Sequence, residues 1–283
     1  MKKLSKKRVS LFIVLVVCIV LITSVVSLND SVEEVVTKKV IEPVRVLKEE
    51  IIEKLELPPE FGYIEVVDSC GPYHEGACVN LRSAPRKDSP LVDRLRTGTV
   101  LRVGDKVGEY GDEWYPIIYD EWLRYPERVS KERYVSARYV TYFSNEGIVE
   151  LKEGEKYKTT KRIIVDRSDQ KLYAYDGKVL YMEESISTGI ELTPTPRGSF
   201  KVYKKTPTRY MQGPLPGIST KKYDLPGVPW NLYFTHEGAV IHGTFWHDKF
   251  GQVWSNGCVN LPPEKAKKLY LWADIGTEVI VRD

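Results

Sequence analysis

The sequence predicts a mainly β protein with a membrane anchor at its N-terminus and one short helix near its C-terminus. Residues 11–28 form an apolar run without a charge. From residue 62 onward the chain consists of short alternating or β-branched segments separated by Gly, Pro and Asp, with one helical pattern over residues 262–273. The 283 residues provide material for about two domains. A hydrophobic content of 42% and a charged content of 29% are typical of globular proteins and exclude a disordered chain.

The first residues predict an exported protein. Residues 1–10 carry five cations, so the formal net charge of +3 leaves a net charge of −2 on the remainder, which does not favour a nucleic-acid partner. The apolar residues 11–28 just suffice for a spanning helix. Because basic residues stay on the cytoplasmic side, residues 1–10 are expected in the cytoplasm and the rest outside the membrane. A cleaved signal peptide is the alternative, with Val25-Val26-Ser27 as its cleavage site.

Residues 29–61 predict a helical stalk or linker. Val44, Leu47, Ile51 and Leu55 recur at helical spacing after Pro43. A solvated stalk that lifts the domains off the membrane is one interpretation. A short coiled coil that dimerises the protein is the other.

Residues 62–143 predict a small β-barrel, because several short strands follow one another without a helix-length segment. The phrases VNLRSAPRKDSPLVDRLRTGT, GDEWYPI and RYVSARYV resemble a bacterial SH3-like domain of the kind appended to cell-wall enzymes. Residues 119–133 interrupt the usual pattern as an insertion. The resemblance implies either a wall-binding module or a spacer that orients the domain after it. A charged linker follows at residues 144–160.

The four cysteines have three predicted roles. Cys18 lies in the apolar run and is interpreted as a small apolar residue. In an exported protein, Cys70 and Cys78 at this spacing indicate a disulfide, with a metal site that includes His74 as the alternative. Cys258 then remains as a lone thiol outside the cell, which indicates a reactive role or else a buried inert residue.

Residues 161–283 predict a second β-rich domain. Strands are expected at residues 162–165, 171–175, 178–181 and 277–281, with a hairpin turn at Asp176-Gly177. The proline-rich stretch 206–230 is expected to be a long loop that covers a cleft. Tyr210, Met211, Trp230 and Tyr233 are candidates to line that cleft, and Trp230 and Tyr233 are alternatively core aromatics. The helix at 262–273 is expected to place its positive end near the sulfur of Cys258.

The stretch HEGAVIHGTFWHDKFGQVWSNGCVNL, residues 236–261, carries the candidate chemistry. His242-Gly243 ends a short buried strand, and Ser255-Asn256-Gly257-Cys258 forms a glycine-flanked turn before the helix. A cysteine nucleophile needs an imidazole that takes its proton. Gly257 lets the backbone approach a substrate and present N–H groups to an oxyanion.

This stretch resembles the catalytic motif of the L,D-transpeptidases, in which HG is followed after a gap by S-H-G-C, a hydrophobic residue and Asn or Arg. Asn256 stands where the family usually has a second histidine. Further blocks, at residues 187–189, 193–198, 200–203 and 225–230, extend the resemblance over about residues 161–281. The resemblance implies a β-sandwich with a short helix, Cys258 as nucleophile and His242 as its base. The oxyanion and substrate-binding set comprises Gly257, Asn256, Ser255, Gly243, Tyr233, Trp230 and His247.

The implied reaction joins peptidoglycan stem peptides, which act as donor and acceptor, into a 3→3 cross-link without a metal or an organic cofactor. Three alternatives remain at this point. A zinc site could use His242, His247 and Cys258, although the spacing matches no compact zinc pattern. A sortase-like transpeptidase would attach proteins to the wall. A catalytically inactive domain, marked by Asn256, would only bind or anchor to the wall.

Overall fold

The computed structural model describes residues 60–129, 132–154, 157–217 and 219–283. The predicted basic segment, the anchor and all but the last two residues of the predicted stalk lie outside the described residues. In the described part of the chain, no helix is both long and apolar enough to cross a membrane. The described residues form a mainly β structure with one α-helix, as the sequence predicted.

The N-terminal part is a small barrel of seven strands. The strands are β1 (Phe61–Glu65), β2 (Val79–Arg82), β3 (Leu91–Leu95), β4 (Val100–Arg102), β5 (Trp114–Pro116), β6 (Tyr134–Ser136) and β7 (Thr141–Asn145). One sheet has the strand order β4-β1-β7 and the other β3-β2-β6-β5. Alternating side chains point inward and pack as a core that includes Ile64, Leu81, Leu101 and Val135.

Strand β3 was not predicted from the sequence. Of its five residues, only Leu95 is buried. A strand that buries so little lacks the alternation of apolar and polar residues on which sequence reasoning depends. Its pairing with β2 determines its structure instead.

The second part has ten strands: β8 (Val149–Glu150), β9 (Lys161–Asp166), β10 (Lys171–Asp176), β11 (Val179–Ser185), β12 (Gly198–Lys201), β13 (Lys204–Leu215), β14 (Ser219–Tyr233), β15 (Val240–Gly243), β16 (Val259–Leu261) and β17 (Glu278–Arg282). They form two five-stranded sheets, with strand orders β11-β10-β9-β17-β12 and β16-β15-β14-β13-β8. Ile163 and Leu172 of the first sheet share one core cluster with Leu232 and Ile241 of the second.

The predicted helix is present as α1 (Pro263–Trp272). Pro262 and Pro263 stand at its start, where a missing N–H costs no helical hydrogen bond. Its buried face consists of Ala266, Leu269 and Tyr270. That face packs on β14 and β15, so the helix supports the strands that carry the motif.

The expectation of an irregular loop at residues 206–230 was wrong. Strands β13 and β14 form a long antiparallel hairpin over this stretch. The register shifts between Arg209 and Met211 and again between Gly213 and Leu215. Such bulges accommodate prolines and break the period-two pattern, which explains why the sequence concealed the strands.

The barrel and the second part share one hydrophobic cluster. Tyr63 of β1 belongs to the cluster of the second part, and Phe143 of β7 stacks on Trp230 at 5.4 Å between ring centroids. Lys267 of α1 pairs with Glu65 of β1. The barrel is therefore packed against the sheet and the helix that position the motif.

Candidate active site

The parallel pairing of β15 with β16 brings His242 and Cys258 to one cleft. His242 of β15 pairs with Asn260 of β16, and Ile241 pairs with Val259. Cys258 stands in the turn directly before β16, two residues before the partner of His242. Both side chains line a cleft of about 960 Å³.

The His242 ring is held in one orientation. Its Nδ1 lies 2.9 Å from the carbonyl oxygen of Gly243. Because a carbonyl oxygen can only accept, Nδ1 carries the proton and donates it. Nε2 is buried and has no hydrogen-bond partner among the described residues. The lone pair on Nε2 is thus available to take a proton inside the cleft.

Gly243 contacts the His242 ring through its carbonyl oxygen and does not form part of the cleft surface. It is buried and does not line the cleft, in contrast to its predicted place in the substrate-binding set. A Cβ at this position would lie 2.7 Å from Cγ of Pro229 and 3.1 Å from Cα of Pro263. Glycine is therefore required for the close approach of helix α1 to strand β15.

Burial keeps both reacting groups neutral in the resting protein. It lowers the pKa of His242 to about 4, against the opposing effect of the Gly243 hydrogen bond. Burial also raises the pKa of the Cys258 thiol, while the Arg209 guanidinium and a backbone hydrogen bond from Val240 oppose this shift. At neutral pH the cleft therefore holds a neutral thiol and a neutral imidazole.

The Arg209 guanidinium is a cation that favours the Cys258 thiolate. The three residues of β16 separate Cys258 from the start of α1 in sequence, and the predicted proximity of the helix N-terminus to the sulfur stays a prediction. Arg209 of β13 lines the cleft, and its Nη1 is buried without a partner among the described residues. No pattern in the sequence marks this residue, because the hairpin that presents it was expected to be an irregular loop.

A network of hydrogen bonds fixes the turn before Cys258. The Ser255 hydroxyl donates to the Cys258 carbonyl oxygen at 2.5 Å and accepts from the Gly257 N–H at 3.1 Å. Thr195 donates to the Gly257 carbonyl oxygen at 3.0 Å and accepts from the Gly189 N–H at 2.9 Å. The role of Ser255 is therefore to hold the turn. Because the Gly257 N–H is engaged by Ser255, the Cys258 N–H is the better backbone candidate for an oxyanion.

Gly189 is a second residue that the sequence analysis did not assign to the site. A Cβ there would lie 2.1 Å from the Thr193 carbonyl oxygen and 2.8 Å from Cα of Gly257. Backbone atoms cannot move aside as a flexible side chain can, so only glycine fits. Gly257 itself has a φ of +109°, in the region that favours glycine.

The remaining predicted residues separate into three places. Asn256 is exposed and lines the cleft. The buried Tyr210 and the half-buried Met211 also line it. Trp230 is 2% exposed and packs in the core against Phe143, so its alternative interpretation as a core aromatic holds. Tyr233 does not line the cleft; its ring lies 5.5 Å from the Arg209 guanidinium and supports that side chain from behind.

His247 lies beneath the cleft and not at its surface. It is 3% exposed, accepts from the Lys249 N–H at 3.1 Å through Nδ1, and has Nε2 at 2.9 Å from the Asn260 side-chain amide. Both ring nitrogens thus have partners, which leaves no lone pair for a zinc ion. Within the part of the chain that the structure describes, no group of three or more His, Cys, Asp or Glu could hold a metal ion.

The predicted disulfide is present. Cys70 and Cys78 are bonded and close a loop with a sequence separation of 8 residues. Cys258 is the free cysteine among the described residues. The thiol outside the disulfide is thus the one that lines the cleft.

Comparison with known proteins identifies both domains. Residues 160–281 match the model of the L,D-transpeptidase catalytic domain, and residues 77–141 match that of the bacterial SH3 domain. Curated protein sequences gave no match.

Solved structures with similarity to the chain include three L,D-transpeptidases. The protein from Mycobacterium smegmatis is 18% identical with a TM-score of 0.42, covering 60% of this chain and 90% of its own. The catalytic domain from E. faecium is 28% identical with a TM-score of 0.39, and the match covers 45% of this chain and 100% of that domain. L,D-transpeptidase 3 from Mycobacterium tuberculosis is 18% identical with a TM-score of 0.41, and the match covers 60% of this chain and 92% of that protein. By its match to the two family models, the chain carries an L,D-transpeptidase catalytic domain at residues 160–281, preceded by a bacterial SH3 domain at residues 77–141.

Proposed function

We propose that this cell-wall L,D-transpeptidase works through a thioester on Cys258. The donor is a peptidoglycan tetrapeptide stem, and the acceptor is a side-chain amine of a neighbouring stem. One observation supports the proposal: an imidazole nitrogen with an unused lone pair, at the end of β15, and a free thiol, in the turn directly before β16, line the same cleft.

The first half-reaction forms the thioester. The Cys258 sulfur attacks the carbonyl carbon of the third stem residue, while His242 Nε2 takes the thiol proton. The carbon–nitrogen bond to the terminal D-alanine then breaks, and His242 returns the proton to the leaving amine. The products are the acyl-enzyme and free D-alanine, with His242 neutral again.

The second half-reaction transfers the acyl group. The acceptor amine attacks the thioester carbonyl and gives a proton to His242. The carbon–sulfur bond breaks, the sulfur leaves as a thiolate, and His242 returns the proton to it. A 3→3 amide bond has then formed.

The charges that develop in this sequence have partners in the cleft. Arg209 stabilises the thiolate, since its guanidinium opposes the rise in the pKa of Cys258. The Cys258 N–H and the Asn256 side-chain amide are suited to donate to the tetrahedral oxyanion. Asn256 cannot titrate, so His242 alone is assigned the proton transfers.

We place this reaction on the outer side of the cell membrane. The proposal depends on the basic residues 1–10 and the apolar residues 11–28, which predict a single-pass anchor or an export signal. The disulfide between Cys70 and Cys78 agrees with an oxidising compartment. The test is protease treatment of intact cells, which should cleave the domains after residue 28. Domains that stay uncleaved until the cells are lysed would show a cytoplasmic location.

The direct test is the mass of the protein after incubation with a tetrapeptide stem or with a carbapenem. The wild-type protein should gain the acyl mass, and Cys258→Ala should gain none. Thermal unfolding of the variant should match that of the wild type, because the substitution removes one sulfur from a cleft wall. Acylation of the Cys258→Ala variant would refute the assignment.

A second candidate function follows from Asn256, which replaces the usual histidine of the motif. A catalytically inactive domain would bind intact cell wall without gaining an acyl mass from either reagent. Cosedimentation with purified wall, measured beside the mass experiment, separates the two functions. A wild-type protein that cosediments but is never acylated would favour the anchoring function.

A further inference from the structure

We propose that the SH3 domain forms one wall of the catalytic cleft, where Arg96 and Arg124 bind the carboxylates of the stem peptide. The inference rests on the proposed function and deepens it, because it assigns a substrate subsite outside the catalytic domain. It also gives the SH3 domain a role different from those of a separate wall anchor or a spacer.

The cleft that contains His242 and Cys258 continues onto the SH3 domain. Its lining includes six residues of the seven-stranded barrel that contains this domain: Pro72, Tyr73, His74, Arg96, Trp122 and Arg124. The volume of about 960 Å³ is at the upper end for small-molecule pockets and is large enough for several peptide residues. Part of this wall comes from the disulfide-closed loop at residues 70–78, and part comes from the insertion at residues 119–133.

This wall is fixed to the catalytic domain by hydrogen bonds. Glu121 accepts from the Tyr210 N–H at 2.7 Å, and the Tyr125 hydroxyl donates to the Pro214 carbonyl oxygen at 2.8 Å. The Tyr73 hydroxyl donates to Asp248 of the catalytic domain at 3.0 Å. The SH3 side chains are therefore held at a defined distance from the thiol.

The charge on the cleft walls is positive. Among the residues that the structure describes, Arg96, Arg124, Arg209 and Lys221 line it, against one carboxylate, that of Glu237. This excess favours a ligand with several negative charges. A peptidoglycan stem carries free carboxylates in addition to the bond that reacts, and an arginine can bind each one through two parallel hydrogen bonds.

Arg96 has donor capacity that the protein does not use. Its Nε is buried without a hydrogen-bond partner among the described residues, and Nη2 lies 3.2 Å from Nδ1 of His74. A guanidinium presents five N–H donors, so Arg96 can donate to a ligand carboxylate at the cleft surface while Nη2 stays near His74. The Arg124 guanidinium lies over the Trp122 ring at 5.3 Å from its centroid. Trp122 is 72% exposed, so the pair presents an apolar surface and a cation to the same ligand.

The experiment compares Arg96→Gln and Arg124→Gln in the full chain with a matched control. The control is Arg86→Gln, which removes the same charge from the same domain. Arg86 is 68% exposed, pairs with Asp88 and does not line the cleft. Each protein is assayed with a tetrapeptide stem that has free carboxylates and with the same stem in which the non-reacting carboxylates are amidated.

Each cleft variant should raise KM for the free stem by about tenfold and leave kcat within about twofold, since the arginines bind without touching the reacting atoms. Arg86→Gln should leave both constants unchanged. With the amidated stem, the wild type and the cleft variants should have equal KM values. Equal KM values for wild type and variants on the free stem, or equal losses on both stems, would overturn the inference.

A binding measurement keeps the inference separable from the proposed function. Calorimetry of Cys258→Ala with the free stem, with and without Arg124→Gln, measures the subsite without turnover. A wild type that forms no acyl-enzyme, together with a tenfold weaker Kd in the Arg124→Gln background, would refute the reaction and support the subsite. Normal acylation of the wild type, together with a Kd that Arg124→Gln leaves unchanged, would support the reaction and refute the subsite.

Discussion

The two buried histidines should make the fold lose stability when the pH falls from 7 to 5. Burial lowers the pKa of His242 and of His247 from 6.5 to about 4. The unfolded chain therefore binds these protons near pH 6.5, whereas the folded chain excludes them until about pH 4. Because the unfolded state binds more protons in this window, stability decreases as the pH falls through it.

The magnitude follows from the two pKa values. Linkage gives a loss of about 2 kcal/mol per histidine between pH 7 and pH 5, or about 4 kcal/mol for both. Carboxylates with ordinary pKa values near 4 remain mostly ionised at pH 5. Burial raises the pKa of Asp93 and of Glu121, which opposes the loss, so about 4 kcal/mol is the contribution of the histidines alone. Below about pH 4 the histidine contribution becomes constant, and carboxylate protonation takes over.

The assay is urea unfolding at pH 7, 6 and 5, followed by tryptophan fluorescence. His247→Asn keeps a short acceptor toward the Lys249 N–H and removes one titrating group, so the loss between pH 7 and pH 5 should fall to about 2 kcal/mol. The matched control is His236→Asn, which removes an exposed histidine that contacts Tyr203. The control should retain the full wild-type loss. A wild-type free energy of unfolding that stays constant from pH 7 to pH 5 would refute the reasoning.

Two further predictions concern the thiol and the turn that holds it. Arg209→Gln removes the cation that opposes the rise in the pKa of Cys258, so alkylation by iodoacetamide at pH 8 should slow, while Arg209→Lys should retain part of the rate. Alkylation that is equally fast in all three proteins would show that the guanidinium does not act on the sulfur. Gly189→Ala places a methyl group 2.1 Å from the Thr193 carbonyl oxygen and should lower the free energy of unfolding by more than about 2 kcal/mol. Gly154→Ala, with φ of +81° and open space around it, should cost only about 1 kcal/mol, and urea unfolding that ranked the two alike would contradict the packing argument.

The fold was predictable where local chemistry and periodicity agree. Strands β9 and β10 alternate, and α1 begins at prolines that suit a helix start. The predicted hairpin turn into β11 is present one residue later, at Gly177-Lys178, because Asp176 is the last residue of β10 and pairs with Val179. The same sequence concealed β13 and β14, because bulges and prolines interrupt their alternation. Pairing across the hairpin, which has no local signal, determines their structure.

The candidate site shows the same division. Cys258 and His242 carry recognisable chemistry at recognisable spacing, and both line the cleft. Arg209 lies far from the motif in sequence, and an arginine in a proline-rich segment has no pattern that marks it. His247 was expected at the cleft because it is a histidine near the motif, yet its two hydrogen bonds keep it below the surface.

By itself, the sequence determined the family, the mainly β architecture, the disulfide between Cys70 and Cys78 and the single thiol left for chemistry. These features depend on residue type and short-range spacing, which a chain displays before it folds. Only the tertiary structure decided the protonation states of the thiol and the imidazole, the cation that faces the thiol and the shared wall between the two domains. Each of these depends on burial and on contacts between residues distant in sequence, and a pKa is set by the groups that surround it in space.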